Sequence, residues 1–121
     1  MQVTLTFSQF ERHQLLQLVD IEERTQLVPE LQWRYAEFCD HVRAAGCSLW
    51  VVEDDYTNQI QGYVALRREA DKLVVANMAV GSPFVRYFVR LNVISKAREY
   101  GLNLDDVDNR TPGGFFLEGY E

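Results

Sequence analysis

Cysteine is scarce in this 121-residue sequence: Cys39 and Cys47 stand alone, with no second pair and no neighbouring pair of histidines. Neither a disulfide framework nor a zinc site follows from that count, and Cys39 reads as a small core hydrophobe. A basic excess is missing too, because 12 Lys and Arg face 18 Asp and Glu for a net charge of −6. Proteins that track nucleic-acid phosphates are normally basic, so direct nucleic-acid binding is disfavoured. Both signs of charge are interspersed, the ordinary recipe for a hydrophilic surface, and an acidic inhibitor of a nucleic-acid enzyme ranks last among the readings. Uninterrupted apolar stretches such as 49–52 and 73–76 fall far short of the ~20 residues that cross a bilayer. The N-terminal seven residues alternate apolar and polar types in place of a basic segment followed by an apolar one, so no secretory signal is expected. These absences point to a cytoplasmic protein with no metal and no membrane contact. His13 and His41 are isolated in sequence and read as surface or satisfied core residues.

The composition, 47% apolar and 25% charged, suits one domain over residues 1–121. A chain of this length buries roughly two thirds of the surface its unfolded form exposes, enough to fold without staples. Repeats, low-complexity tracts and Gly/Ser linkers are lacking. Val3, Leu5 and Phe7 alternate with polar residues as a first strand. Ser8 and Glu11 form a capping-box pattern ahead of a helix with Leu15, Leu16, Leu18 and Val19 on one face, and the polar 22–26 stretch predicts a turn. Leu31, Tyr35, Phe38, Val42 and Ala45 recur at helical spacing up to Gly46, a second helix.

Three β-rich runs come next, around 49–52, 60–66 and 72–79, separated by acidic turns, and they predict an antiparallel meander. Gly81, Ser82 and Pro83 then open a helix running to about Tyr100, where Gly101 stops it. Leu102, Leu104 and Val107 predict a further strand, and 109–114 a loop before an aromatic tail. The order β-α-α-β-β-β-α-β is an α+β layout, with helices covering a mostly antiparallel sheet.

From Leu49 to Tyr120 this order resembles the GNAT superfamily of N-acetyltransferases. Leu49-Trp50-Val51-Val52-Glu53-Asp54 and Ile60-Gln61-Gly62-Tyr63-Val64-Ala65-Leu66 are similar to the family's central hairpin, and 72–80 to its fourth strand. The helix ending at Gly101 resembles its long third helix, 102–109 its fifth strand with a terminal Asn, and 115–121 a shortened closing segment. The resemblance implies a central sheet with helices on both faces, here with the C-terminal helix and strand truncated. It also implies acetyl-CoA as cofactor, held by Met78, Val80, Gly81, Ser82, Arg86 and Asn109, with Arg90 in support.

The sequence departs from the family where the chemistry sits. The phosphate-cradling turn, normally basic and rich in glycine, has one Gly here and a Pro without an N–H. Transfer to an amine requires a base, often with a Tyr that protonates the thiolate. Phe115 and Phe116 stand where that Tyr is expected, leaving Glu53, Asp54 and Tyr120 as the catalytic candidates. Two functions stay open: a binding or structural protein on a GNAT-like scaffold, and a minimal acetyl-CoA-dependent N-acyltransferase acting on an amine. The first is loosely similar to the acetyltransferase-like accessory and internal virion proteins of short-tailed phages, which places it in a bacterial or phage-infected cytoplasm or in a virion. It expects a protein partner or self-association, with Trp33, Trp50 or Tyr120 as anchors.

Overall fold

A computed structural model of the chain describes residues 2–6, 12–54, 56–80 and 83–111, with the backbone alone at 2–6, 80, 83 and 84. In chain order the elements are β1 (Gln2–Thr6), α1 (Arg12–Thr25), a 3-10 turn (Pro29–Leu31), α2 (Tyr35–Arg43), β2 (Cys47–Glu53), β3 (Ile60–Arg68), β4 (Leu73–Val80), α3 (Pro83–Glu99), a 3-10 turn (Leu104–Asp106) and β5 (Val107–Asn109). The strands lie in the same order across one sheet. Pairings β1–β2, β2–β3 and β3–β4 are antiparallel, as the short acidic turns require. β4–β5 is parallel, which needs a long crossover, and α3 supplies it.

Each face of the sheet carries its own core. On one face Val85, Val89, Val93, Ile94 and Ala97, spaced as one stripe of α3, cover Val52, Val64, Leu66, Leu73 and Val75. On the other face Leu15, Leu18 and Ile21 of α1 and Phe38 of α2 cover Leu49, Val51, Tyr63, Ala65 and Ala79. The strands between are buried on both sides, which is why β2 to β4 read as dense apolar runs.

A bulge in β4 reverses which side chains meet which core. Ala65 pairs with Asn77 and Leu66 with Val75, so Ala76 is an extra residue. Before the bulge Leu73 and Val75 face α3; after it Met78 faces α3, while Asn77 and Ala79 face α1 and α2. One inserted residue thus turns the polar Asn77 toward the opposite core.

Several expectations change. α1 continues through 22–25 where a turn was expected, because Ile21 and Glu22 are buried; Leu16, expected on its inner face, is exposed. α2 begins only at Tyr35, since Pro29–Leu31 forms a separate 3-10 turn with Leu31 exposed, and it ends at Arg43, leaving Ala45 outside. Gly46 comes shortly after at a φ of 76°, and its carbonyl accepts from Arg68 N–H. The last strand is only Val107–Asn109, because 104–106 turns under an Asp106 carboxylate that accepts from Asn103 N–H. The Ser8 capping box, Gly81, Ser82, Phe115, Phe116, Tyr120 and the C-terminal truncation lie outside the described residues.

Candidate functional site

β4 and β5 share only a short ladder, Leu73–Val107 to Val75–Asn109, closed by Arg110 N–H on the Val75 carbonyl at 3.0 Å. Beyond Val75, β4 runs on to Val80 without a β5 partner among the described residues, so the strands part at the bulge. An open strand edge of this kind offers backbone groups to an extended ligand. Met78 and Asn109 border it, and α3 starts three residues beyond its upper end, with Arg86 exposed in its opening turns. Asn109 is engaged locally: its Oδ1 accepts from Thr111 N–H at 3.0 Å and from Thr111 Oγ1 at 2.6 Å.

The inner side of the opening rests on a buried polar cluster that sequence reading missed. Glu22 is 1% exposed, the one carboxylate in the buried class among the described residues. Its Oε2 accepts from Trp33 N–H at 2.9 Å and from Asn77 Nδ2. Asn77 Nδ2 also donates to the Tyr63 hydroxyl at 3.1 Å, and Asn77 Oδ1 accepts from Met78 N–H at 3.0 Å. Burial first, and then the Glu22 charge, push the Tyr63 phenol far above its ordinary range, so Tyr63 keeps its proton. The cluster ties α1, the α1–α2 connection and the β4 bulge to one carboxylate. A signal did exist: Glu22 stands one turn beyond Leu18 and next to Ile21, on the face that α1 buries.

Beside the bulge, on the same face, lies a cleft of about 340 Å³ whose walls include Trp33, His41, Cys47 and Ala76. His41 is buried, and its Nε2 lies 2.8 Å from the Ser48 carbonyl, which can only accept; Nε2 therefore carries the proton and Nδ1 is the basic nitrogen. Burial holds its pKa below 6.5, against the opposing pull of that carbonyl. Burial likewise raises the Cys47 thiol, which keeps it protonated and unreactive.

Of the catalytic candidates, Glu53 and Asp54 sit at the β2–β3 hairpin, and Tyr120 lies outside the described residues. Glu53 pairs with Ile60 at the β2–β3 hairpin, at the same end of the sheet as Val80 but two strand positions across, about 10 Å at ordinary strand spacing. Asp54 shapes that hairpin: its Oδ1 accepts from Tyr56 N–H at 2.8 Å and Thr57 N–H at 3.3 Å. Neither reaches the point where β4 and β5 part. Among the described residues no cluster of His, Cys, Asp and Glu is arranged to hold a metal, and no helix is long and apolar enough to cross a membrane.

No family model and no curated protein sequence matches the chain. Solved structures do. The ribosomal-protein-S18-alanine N-acetyltransferase from Escherichia coli superposes with a TM-score of 0.63 at 14% identity, over 84% of this chain and 63% of its own. The ribosomal-protein-alanine N-acetyltransferase from Brucella melitensis biovar Abortus 2308 gives 0.66 at 10% identity, over 92% and 80%. An acetyltransferase assigned to the GNAT family, from Staphylococcus aureus subsp. aureus, gives 0.64 at 10%, over 90% and 99%. The chain thus spans less than two thirds of the E. coli enzyme and nearly all of the S. aureus protein. At these identities the likeness concerns the fold. The α+β sheet with helices on both faces, superposing on these structures, gives this chain a divergent GNAT-like fold.

Proposed function

We propose that this protein uses the GNAT scaffold for binding, with acyl transfer weak or lost. One observation carries the reading: the carboxylate buried beside the β4 bulge is committed to structure. A general base must come within hydrogen-bond reach of the proton it removes and have an acceptor position to offer. Glu22 gives its Oε2 to Trp33 N–H and Asn77 and its carboxylate is also hydrogen-bonded with Tyr63, all inside the core, while Glu53 and Asp54 lie at the hairpin. Leu27, Val28 and Leu31 are exposed in the α1–α2 connection, with Leu27 83% accessible, and they support a protein partner or a second copy as what is bound. The loose likeness to phage accessory proteins fits such a role.

The open β4 edge favours a second reading, a minimal acyl-CoA-dependent N-acyltransferase acting on an amine. An acyl-CoA brings an extended amide-bearing arm and anionic phosphates, and its thioester supplies an activated acyl group. The backbone of 76–80 suits the arm, Met78 and Asn109 border it, and Arg86 suits the phosphates together with Val80, Gly81 and Ser82 at the β4–α3 turn. Calorimetric titration with acetyl-CoA and CoA, alongside thermal shift, separates the readings. The binding-module reading expects no heat and no shift up to about 1 mM ligand, since a ligand of the native state must raise the midpoint. Micromolar binding that Gly81→Glu abolishes through charge repulsion would instead support the transferase.

A further inference from the structure

We infer that the cluster of Trp50, Arg68, Lys96 and Tyr100, where the end of α3 meets β2 and β3, is a binding site for a dianionic oxyanion, phosphate or a small phosphate monoester. The inference goes beyond the proposed function and does not rest on it: Arg68 pairs with Leu73 at the start of β4, whereas the β4–α3 turn follows Val80 at the other end of that strand. The Trp50 Nε1–H is buried and has no hydrogen-bond acceptor. Lys96 is 5% exposed, yet its ammonium has a single acceptor, Glu99 Oε1, at 3.5 Å. The Arg68 side chain has neither an ion pair nor a hydrogen bond among the described residues. Ammonium, guanidinium and indole groups are donors only, and buried donors are almost always answered, so a cluster of unanswered ones points to an acceptor that binds there.

The two cations converge on one ring. The Arg68 guanidinium carbon lies 4.1 Å from the Tyr100 ring centroid and the Lys96 nitrogen 5.1 Å from it, while the Lys96 nitrogen is also 5.6 Å from the Trp50 ring. Like charges that share a ring stand within about 9 Å of each other, less than the Debye length at moderate salt, and repel unless an anion answers them. Glu99 answers Lys96 only from an exposed position, and Glu69, next to Arg68, is taken by Arg67, Lys72 and Arg110. The end of α3 does not explain the cations either. Gly101, at a φ of 74°, donates its N–H to the Arg98 carbonyl at 2.9 Å, and Leu102 N–H reaches the Ala97 carbonyl at 2.8 Å, so the backbone itself caps these carbonyls.

The donor set selects the ligand. A guanidinium fork from β3, an ammonium from α3 and an indole N–H from β2 suit a tetrahedral oxyanion better than a planar carboxylate. With the Glu99 carboxylate turned to solvent, where its side chain is already 63% exposed, two cations meet a dianion of matching charge. Arg68 and Tyr100 are half-buried, which leaves the cluster approachable from that side. The Tyr100 and Trp50 rings hold both cations beforehand, so little is lost to ordering them when the anion arrives.

The test titrates the full chain with inorganic phosphate at about pH 8, where phosphate and its monoesters are dianions, with ionic strength held constant by chloride and binding followed by indole and amide NMR. The Trp50 indole N–H signal should move saturably, while the indole of Trp33, on the other face of the sheet, stays in place. Arg68→Gln, at a half-buried position, should weaken binding about tenfold, the scale of one charge-assisted hydrogen bond. Lys96→Met, which keeps the buried stem, should abolish the movement. Phenyl phosphate binding more tightly than phosphate would identify an ester as the ligand, and the reverse order would identify the free ion. No saturable movement at Trp50, equal binding of acetate, unchanged affinity in Arg68→Gln, or shifts confined to the amides of 85–87 near the β4–α3 turn would each overturn the assignment.

Discussion

Removing the Glu22 carboxylate leaves the Trp33 N–H and the Asn77 amide without their acceptor inside the core. An unsatisfied buried donor costs about 1–3 kcal/mol, so Glu22→Ala is expected to destabilise the fold by about 3 kcal/mol and lower the thermal midpoint by roughly 10 °C. Glu22→Gln, which keeps one carbonyl oxygen, should lose about half as much. Denaturant titration of the two variants checks this, and an Ala variant as stable as the parent would dismiss the cluster as a stabilising device. Residues of this kind are the hardest to read from sequence. Glu22 stands among Asp20, Glu23 and Arg24, where polarity predicts a turn; its place one turn beyond Leu18 marks the buried face, and its partners Trp33 and Asn77, 11 and 55 positions away, explain the burial. His41 was legible in part: a lone histidine reads as a surface or a satisfied core residue, and burial with the Ser48 carbonyl as acceptor makes it the second.

At the scale of elements, β5 is short, with Val107 packed in the core and a network of partly exposed charges around it that is expected to help hold it. Two carboxylates sit among three cations: Glu69 is 3.0 Å from Arg67 and 3.8 Å from both Lys72 and Arg110, and Asp108 is 3.0 Å from Arg110 and 3.4 Å from Lys72. Hydrogen bonding from Arg67 lowers the Glu69 pKa from 4.5, and hydrogen bonding from Arg110 lowers that of Asp108 from 3.8. Depressed carboxylates stabilise the native state above their unfolded values, and that contribution disappears as pH falls through the lower native values. Amide exchange in 107–109, measured relative to β3, should therefore speed up as pH drops below about 4. Glu69→Gln with Asp108→Asn should remove that acid-dependent step and accelerate exchange at pH 7, and added salt should do so in part because the groups are partly exposed. Acid dependence unchanged in the double variant would mean that β5 is held by Val107 packing alone.

The same strand shows where sequence periodicity fails. The three meander strands were legible because burial on both faces makes them dense in Val, Leu and Ala, and α3 because Pro83 and Gly101 bracket it. β5 is too short to show a period, and Leu102 and Leu104 pack from loop and turn positions instead. α2 was overextended because Leu31 and Tyr35 continue the helical spacing while both remain exposed.

Across the whole molecule, the layout of strands and helices followed from patterning, and with it the resemblance to GNAT proteins that the solved structures support as a fold. The chemistry was less legible. A bulge is a one-residue event that ordinary apolar alternation does not announce, yet it decides that Asn77 joins Glu22 and that β4 and β5 part at Val75. Fold and chemistry are separable, and here the described residues retain the opening in the sheet while the nearest buried carboxylate holds the structure together. The most direct measurement is release of free CoA thiol from acetyl-CoA by the purified chain, with a panel of primary amines and N-terminal peptides as acceptors. A binding module with transfer weak or lost should release thiol at or barely above the rate of the protein-free control. Sustained turnover within the ordinary enzymatic range, about 1–10³ s⁻¹, would contradict it and establish a working transferase on this scaffold.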